Sequence, residues 1–383
     1  ISLGLVGSEM CIRDRLNTGN PATFGFGLPD SIKNALMEHM QDGVGYCDFK
    51  GMPQARQAIC DYETSKGIKG ITPDDVFIGN GVSEVVSFAL TPLLNDGDEV
   101  LVPSPSYSLW GNSVYLEDGK PVFYTCDEQA NWYPDIQDIR SKITDKTKAI
   151  VIINPNNPTG VLYPKELLLE IIQIARESGL LIFADEIYDR LVMDGKQHIS
   201  LASLTEDVPV ITLNGLSKSH CLCGYRCGWM VISGPRELTE DYRQGIIQLT
   251  SLRLCANTMA QIVIPAALDD METPASMVRP GGRIYEQREA TVRELEKIDG
   301  LSFVKNDAAF YVFPKLDVKK FNITNDKQFA HDLLDVTNIL LVPGSGFDWK
   351  DPDHFRIVML PQADILSDAI RRMGTFLDGY KQK

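Results

Sequence analysis

The chain has 383 residues, 44% of them hydrophobic, which is enough apolar material for one large and one smaller lobe. Its formal net charge of −15 disfavours a nucleic-acid or anionic-membrane partner, and no apolar run reaches the roughly 18 residues that a membrane helix needs. The eight cysteines lack zinc-like spacing and the five histidines form no H-E-x-x-H motif, so we expect no metal site and a reducing compartment.

The first fifteen residues, ISLGLVGSEMCIRDR, have no basic region ahead of their apolar stretch and therefore make a poor signal peptide. They resemble a translated sequencing adapter or assembly junction. We expect residues 1–15 to be foreign and unstructured, and the native N-terminus to be missing.

Beyond about residue 70, short apolar runs rich in β-branched residues alternate with helical patterns, which is typical of an α/β protein with a largely parallel sheet. The predicted strands are 75–79, 98–103, 149–154, 180–185, 209–214 and 229–233. The predicted helices are 83–94, 164–178 and 283–297. From residue 301 to the C-terminus, strand and helix patterns are mixed and indicate a second lobe.

Polar turns follow five of these strands. In chain order they are NGVSE, SPSY, PNNPTG, DEIY and GLSK. Ligands of open α/β sheets bind at the carboxyl ends of parallel strands. We therefore expect the five turns to converge on one site.

Three features of these turns describe one cofactor. Asp185 ends an almost fully apolar strand, where a carboxylate is costly unless a cation pairs with it, although a helix N-cap is the alternative role. The junction at residues 81–83 offers backbone amides to a phosphate, and Ser217 and Arg226 add a hydroxyl and a guanidinium. Lys218 alone could be a surface lysine. Together, a phosphate anchor, a carboxylate for a protonated ring nitrogen and a lysine for a Schiff base indicate pyridoxal 5′-phosphate.

The motifs SKSHCLCGYRCGW, NPNNPTG, FADEIYD, GNGVSE and FRIVML resemble those of class I, fold-type I aminotransferases, in the same order. The likeness runs from about residue 16 to the C-terminus. It implies a large domain with a mostly parallel seven-stranded sheet between helices, and a smaller α+β domain. We expect residues 45–270 to form the large cofactor-binding domain, and 16–44 with 271–383 to form the small one. The resemblance also implies a cytoplasmic homodimer with shared active sites.

Within that class, LNTGNPATFGF, GYCDFKG and PGGRIYEQR resemble the alanine (glutamate–pyruvate) subgroup. This implies the reaction L-alanine + 2-oxoglutarate = pyruvate + L-glutamate. The alternatives on the same scaffold are transamination of aspartate, branched-chain or aromatic amino acids, and C–S β-lysis. A transcription regulator with this domain would need a basic DNA-binding segment, which this acidic chain lacks.

The resemblance also implies roles for individual residues. Lys218 corresponds to the lysine that forms the Schiff base and moves the proton, and Asp185 to the partner of the ring nitrogen. The other expected cofactor contacts are Tyr107 (stacking), Asn157 and Tyr188 (phenolic oxygen), Val82, Ser83, Ser217 and Arg226 (phosphate), and Tyr46 (phosphate of the neighbouring subunit). Arg356 is expected to bind the substrate α-carboxylate, with Gly19 and Asn157 beside it.

Four further expectations concern the surroundings of the site. The bonds Ser104–Pro105 and Asn157–Pro158 match positions that are often cis in the family. Cys221 stands where the alanine subgroup often has a second arginine. Arg253 is a candidate cation for a distal substrate carboxylate. The smaller domain is expected to close over the site when substrate binds.

Overall fold

The computed structural model describes residues 12–383, and this range forms fifteen strands and fifteen α-helices. The strands are β1 Asp14–Arg15, β2 Val76–Asn80, β3 Glu99–Ser104, β4 Lys120–Asp127, β5 Tyr133–Pro134, β6 Thr147–Ile153, β7 Leu181–Asp185, β8 Val210–Gly215, β9 Cys227–Ser233, β10 Leu301–Ser302, β11 Tyr311–Val312, β12 Lys315–Leu316, β13 Ile339–Leu340, β14 Val342–Pro343 and β15 Phe355–Val358. The α-helices are α1 Asp30–His39, α2 Pro53–Ser65, α3 Val82–Leu90, α4 Leu109–Leu116, α5 Ile136–Lys142, α6 Lys165–Ser178, α7 Leu216–Ser219, α8 Arg236–Arg253, α9 Thr258–Ile262, α10 Ile264–Asp269, α11 Glu272–Val278, α12 Arg283–Leu295, α13 Val318–Phe321, α14 Asp326–Thr337 and α15 Ala363–Leu377. Short 3₁₀ helices span Pro21–Phe24, Met40–Gly43, Pro73–Asp75, Glu128–Ala130, Leu201–Leu204, Cys223–Tyr225 and Gly344–Phe347.

Strands β2 to β9 form one large sheet in the order β2-β9-β8-β7-β6-β3-β4-β5. The five strands β8, β7, β6, β3 and β4 pair in parallel. Strand β9 pairs antiparallel with β2 and β8, and β5 pairs antiparallel with β4. The predicted large, mostly parallel sheet is therefore confirmed, with eight strands rather than seven because the two-residue β5 adds an edge.

Helices cover both faces of this sheet, which explains why its strands are continuous apolar runs. On β6, Ile150 and Ile152 pack with residues of α6 on one face, whereas Val151 and Ile153 pack with residues of α3 and α8 on the other. The six predicted strands and the three predicted helices are all present. Helix α3 ends at Leu90 rather than near 94, because Pro92 follows and cannot continue it.

The C-terminal lobe has its own core. Leu16 and Leu295 pack there with apolar residues of α14, α15 and β15. Ile32 of α1 packs instead beside Ala267 of α10. The domain boundaries at 44 and 270 remain a prediction. Within residues 12–383, no helix combines the length and apolar character needed to cross a membrane.

Two expectations about the backbone need correction. Residues 1–11 lie outside the described residues, but Asp14–Arg15 are not unstructured, because they form β1 in parallel pairing with β13. Ser104–Pro105 is cis as predicted, whereas the second cis bond of the described chain is Asn154–Pro155 and not Asn157–Pro158. Strand β6 ends at Ile153, so the chain turns at the first proline of the PNNP segment.

A buried charge cluster connects Glu128, which follows β4, to the strands of the C-terminal lobe. His354 is fully buried, with Nδ1 2.6 Å from the Asp353 carboxylate and Nε2 3.5 Å from that of Glu128. Lys315 Nζ lies 2.9 Å from Glu128. Burial would lower the pKa of the His354 imidazole, but its hydrogen bond to Asp353 and the nearby Glu128 carboxylate outweigh this effect and raise the pKa.

The raised pKa of His354 predicts a pH-dependent contribution to stability. A protonated His354 stabilises the folded state fully below the unfolded-state pKa of about 6.5, and this contribution is lost as pH rises through the folded-state pKa. In urea unfolding, His354→Gln should therefore lose more stability relative to wild type at pH 6 than at pH 9. His331→Gln, at an exposed position, is the control. An equal loss for His354→Gln at both pH values would contradict the charged state assigned to the cluster.

Candidate active site

A cavity of about 360 Å³ opens beside the carboxyl ends of β6 and β7. Except for Tyr46 and Arg253, every residue predicted for the site lines it: Gly19, Val82, Ser83, Tyr107, Asn157, Asp185, Tyr188, Ser217, Lys218, Arg226 and Arg356. These residues come from distant parts of the chain. The expected convergence of the strand-end turns on one place is therefore observed, as the geometry of parallel strands requires.

Asp185, the last residue of β7, is a buried carboxylate in the cavity wall. Its Oδ2 accepts a hydrogen bond of 3.0 Å from the indole of Trp110, and its Oδ1 accepts a longer one of 3.4 Å from the amide of Ile187. No lysine or arginine of residues 12–383 forms an ion pair with it. Burial raises the pKa of the Asp185 carboxyl to about 6, although the Trp110 hydrogen bond opposes this shift. The carboxylate is thus suited to a cationic group of a ligand.

Lys218 projects from the short helix α7, which begins directly after β8. Its Nζ donates a hydrogen bond of 2.8 Å to the carbonyl oxygen of Gly19. A Cβ at Gly19 would overlap the hydroxyl of Tyr311, so only glycine allows this segment to approach so closely. Because backbone carbonyls are neutral, the amine has a polar partner, and no carboxylate of residues 12–383 holds it as a fixed ion pair.

The N-terminus of α3 and the Arg226 guanidinium lie side by side. Gly81 precedes the helix with φ of +83°, and a Cβ there would overlap the Arg226 guanidinium. No side chain caps the first amides of α3. Arg226 donates to the carbonyl oxygen of Cys223 at 3.0 Å and has no carboxylate partner within the described residues. Free amides, a helix dipole and a guanidinium make an anion site, and the buried Ser217 hydroxyl lines the same cavity.

Arg356 on β15 is a buried guanidinium on the opposite wall. Its Nη1 donates to Asn157 Oδ1 at 3.0 Å and its Nη2 to the Asn17 carbonyl oxygen at 2.6 Å. The guanidinium lies between the rings of Tyr311 and Phe347, 4.7 and 4.6 Å from their centroids. Burial lowers the pKa of this group. Its Nε has no hydrogen-bond partner, so the site can accept a carboxylate.

The sequence analysis missed two important contacts. Tyr188 and Tyr311 join their hydroxyls at 2.9 Å inside the cavity. Trp110 is fully buried behind Asp185. Tyr311 lies in the apolar run AAFYVF and Trp110 in the pattern of a helix, so both appear in the sequence as ordinary core residues. In the sequence, the one hint to the role of Trp110 is its position three residues after Tyr107, a residue that the motifs already assign to the site.

Two expected residues lie outside the cavity. Tyr46 is 85% exposed, so its expected contact with a neighbouring subunit stays a prediction. Arg253 is not a free cation near the site. Its Nη1 pairs with Glu84 at 2.6 Å and its Nη2 bonds to the carbonyl oxygens of Phe49 and Ile78. The suggestion that Arg253 binds a distal carboxylate is therefore wrong for this arrangement of the chain.

Comparisons with known proteins agree on one family. The sequence model of the family described as aminotransferase class I and II matches residues 15–370. The glutamate-pyruvate aminotransferase of Haemophilus influenzae is 51% identical over 368 residues, covering 96% of this chain and 91% of that protein. The alanine aminotransferase of Mycobacterium tuberculosis is 46% identical over 369 residues, covering 96% of this chain and 86% of that protein.

Solved structures give the same result for the fold. The crystal structure of an aminotransferase from Escherichia coli superposes with a TM-score of 0.96 at 47% identity, covering 99% of this chain and 94% of that one. The alanine aminotransferase from Pyrococcus furiosus superposes with a TM-score of 0.91 at 42% identity, covering 95% and 92%.

Because the Asp185 carboxylate is buried without a cation from residues 12–383, replacing it with a neutral side chain should change the stability of the ligand-free protein. Because the folded-state pKa of Asp185 is raised to about 6, the ligand-free protein loses stability as pH rises from about 4 to about 6. Asp185→Asn should therefore stabilise the ligand-free protein by up to about 3 kcal/mol at pH 8. The gain should disappear below about pH 4. Urea unfolding as a function of pH measures it, with the exposed Asp61→Asn as control. A destabilised Asp185→Asn at pH 8 would contradict this account.

Proposed function

This chain belongs to the class I and II aminotransferases, and from that premise we propose that it uses pyridoxal 5′-phosphate to interconvert L-alanine and 2-oxoglutarate with pyruvate and L-glutamate. One observation carries the proposal: the cavity around Lys218 combines a buried carboxylate without a cation with two guanidinium groups without carboxylates. A ligand set with a cationic ring nitrogen, a phosphate and an α-carboxylate complements all three.

The cofactor fits the residues of one wall. Asp185 would hold the ring nitrogen, and its raised pKa would fall when a cation pairs with it. Arg226, Ser217 and the Val82–Ser83 amides would hold the phosphate. Tyr107 would stack on the ring, and Asn157 and Tyr188 would hydrogen-bond its phenolic oxygen. The bound cofactor supplies an electron sink that stabilises negative charge at the substrate Cα.

The substrate is proposed to lie between Lys218 and Arg356. Arg356 binds the α-carboxylate through a planar fork of donors, which fixes the orientation of Cα. Asn157, which accepts a hydrogen bond from Arg356, and Gly19, which lines the same cavity, are proposed to contribute to this carboxylate site. Lys218 Nζ, released from its hydrogen bond to Gly19, would take the proton from Cα and pass it to C4′ of the cofactor rather than back to Cα, as transamination requires.

The choice of amino acid follows from the relatives and from the charges left in the cavity. Lys218, Arg226 and Arg356 are the lysine and arginine residues that line it in the described chain, and all three have proposed roles. No lining cation is left for a distal carboxylate, so alanine is accommodated directly. Glutamate then depends on lobe closure or on a partner subunit. In the proposed homodimer, the exposed Tyr46 reaches the phosphate of the neighbouring site.

The proposed reaction predicts a pattern of half-reactions. Purified protein loaded with pyridoxal 5′-phosphate should lose its cofactor absorbance band rapidly with alanine and with glutamate, and slowly with aspartate, leucine, phenylalanine or cystathionine. Borohydride reduction should fix the cofactor on Lys218, and Lys218→Ala should abolish both responses. Preference for another amino acid would overturn the substrate. Release of pyruvate and ammonia from cystathionine without an acceptor would favour the C–S β-lyase.

The carboxylate site predicts a specific loss for a conservative change. Arg356→Lys removes the bidentate geometry but keeps a charge, so kcat/KM for alanine should fall on the order of 100-fold, with the affinity for pyridoxal 5′-phosphate nearly unchanged. Steady-state kinetics and a cofactor titration separate these effects. Arg371→Lys, at an arginine paired with Glu294 away from the cavity, should leave both values at the wild-type level. A similar KM for Arg356→Lys and wild type would exclude the proposed carboxylate contact.

A further inference from the structure

A second group of buried charges lies next to the cavity and takes no part in the proposed reaction. Lys66, which follows the last residue of α2, directs its ammonium at three carboxylates. Nζ lies 2.8 Å from Glu63, 2.7 Å from Glu186 and 3.1 Å from Asp189. The side chains of the three carboxylates are at most 3% exposed, and that of Lys66 is 13% exposed. One cation therefore contacts three acidic groups that have little access to water.

The second oxygens of Glu63 and Glu186 are also hydrogen-bonded. Glu63 accepts from the indole of Trp229 at 3.2 Å. Glu186 accepts from the hydroxyl of Ser200 at 2.9 Å and from the amide of Leu201 at 3.0 Å. The oxygens of Glu186 and Asp189 also come within 4.8 Å of a ring nitrogen of His198, a spacing that a metal ion could use. Lys66 already occupies the position of the cation, so we assign no metal here.

Two of the three acidic residues are adjacent in the chain to residues of the cavity. Glu186 directly follows Asp185, and Asp189 directly follows Tyr188. Asp189 also accepts a hydrogen bond of 2.7 Å from the side chain of Asn214, four residues before Lys218. The amide of Glu186 donates to the carbonyl oxygen of Leu213 at 2.9 Å. The turn after β7 and the end of β8 are thus tied together behind the cavity.

We propose that Lys66 is a positioning residue for the reaction, holding the turn at 186–189 and the segment 213–218 in register, so that Asp185 and Tyr188 face Lys218. This inference rests on the proposed function. Without the ammonium, three carboxylates would lie together unpaired, which is strongly unfavourable in a buried place. They would separate or take up protons, and the turn would move. Burial alone would lower the pKa of Lys66, but the attraction of Glu186, Glu63 and Asp189 raises it well above the ordinary value, so the group stays charged.

The test compares Lys66→Met with Lys69→Met in the enzyme loaded with pyridoxal 5′-phosphate. Lys69 is three residues further along the chain and forms one exposed ion pair with Glu206. In Lys66→Met, we expect amide hydrogen exchange to accelerate in 186–189 and 213–218. We also expect kcat for alanine to fall on the order of 10- to 100-fold, because small displacements of reacting groups have such effects. KM should stay within about twofold, since Arg356 lies outside this group of charges. Lys69→Met should match wild type in every respect.

Asn214→Ala provides a second variant that leaves every charge in place, in case Lys66→Met does not fold. It removes the hydrogen bond that Asn214 donates to Asp189 and the one that its Oδ1 accepts from the Gly215 amide, so faster exchange at 213–218 and a smaller fall in kcat are expected. A lower melting temperature in Lys66→Met with unchanged kcat per loaded site, and exchange faster only in α2, would overturn the proposal. If the wild-type enzyme transaminates no amino acid, the proposed function fails, and the exchange data alone then decide for or against Lys66.

Discussion

The carboxylate of Asp185 is the constraint on which the rest of the site depends. A charged group at the end of a strand buried on both faces is unfavourable, and among the described residues only an indole and a backbone amide donate hydrogen bonds to it. These two hydrogen bonds require that the Trp110 indole is buried next to Asp185. They also require that the chain turns directly after Asp185, so that the Ile187 amide can donate to the same carboxylate. The carboxylate still requires a cation, which a ligand can supply.

Two kinds of buried charge lie close together in this fold: charges that pair with one another, and charges that have no opposite partner. The first kind supports the structure, and the second kind lines the candidate site. Around Lys66, opposite charges meet within 3.1 Å and nearly every oxygen has a donor. Asp185 and Arg356, by contrast, have neutral partners only, so each retains unused capacity for a charged group. A cluster of opposite charges in mutual contact holds the local structure in place, whereas charges without an opposite partner on such a support are pre-organised for a ligand. The paired charges around Lys66 thus allow the fold to maintain the unpaired charges of Asp185 and Arg356.

Most of the sheet and most of the site could be predicted from the sequence because both depend on local signals. Runs such as AIVIIN identify strands, and a polar residue directly after such a run lies at the ligand-binding edge. Contacts between distant segments leave no such signal. Tyr311 has the pattern of a core residue, and Lys66 is one more lysine after a helix, yet the first meets Tyr188 and the second meets Glu186 across more than a hundred residues. The position of the cis bond and the partner of Arg253 likewise depend on packing.

The residues of the site come from two parts of the fold, the large sheet and the C-terminal lobe. Contacts between these two parts therefore connect the two groups of site residues. Asp185 and Lys218 follow strands of the large sheet, whereas Arg356 lies on β15 among strands of the C-terminal lobe. Two residues before Arg356, His354 is held against Glu128, which directly follows a strand of the large sheet. A buried ion pair is sensitive to distance, so this contact fixes β15 relative to the sheet most strongly when His354 carries a proton. Arg356 is therefore connected to the large sheet by a charged contact outside the cavity as well as by its bond to Asn157 within it.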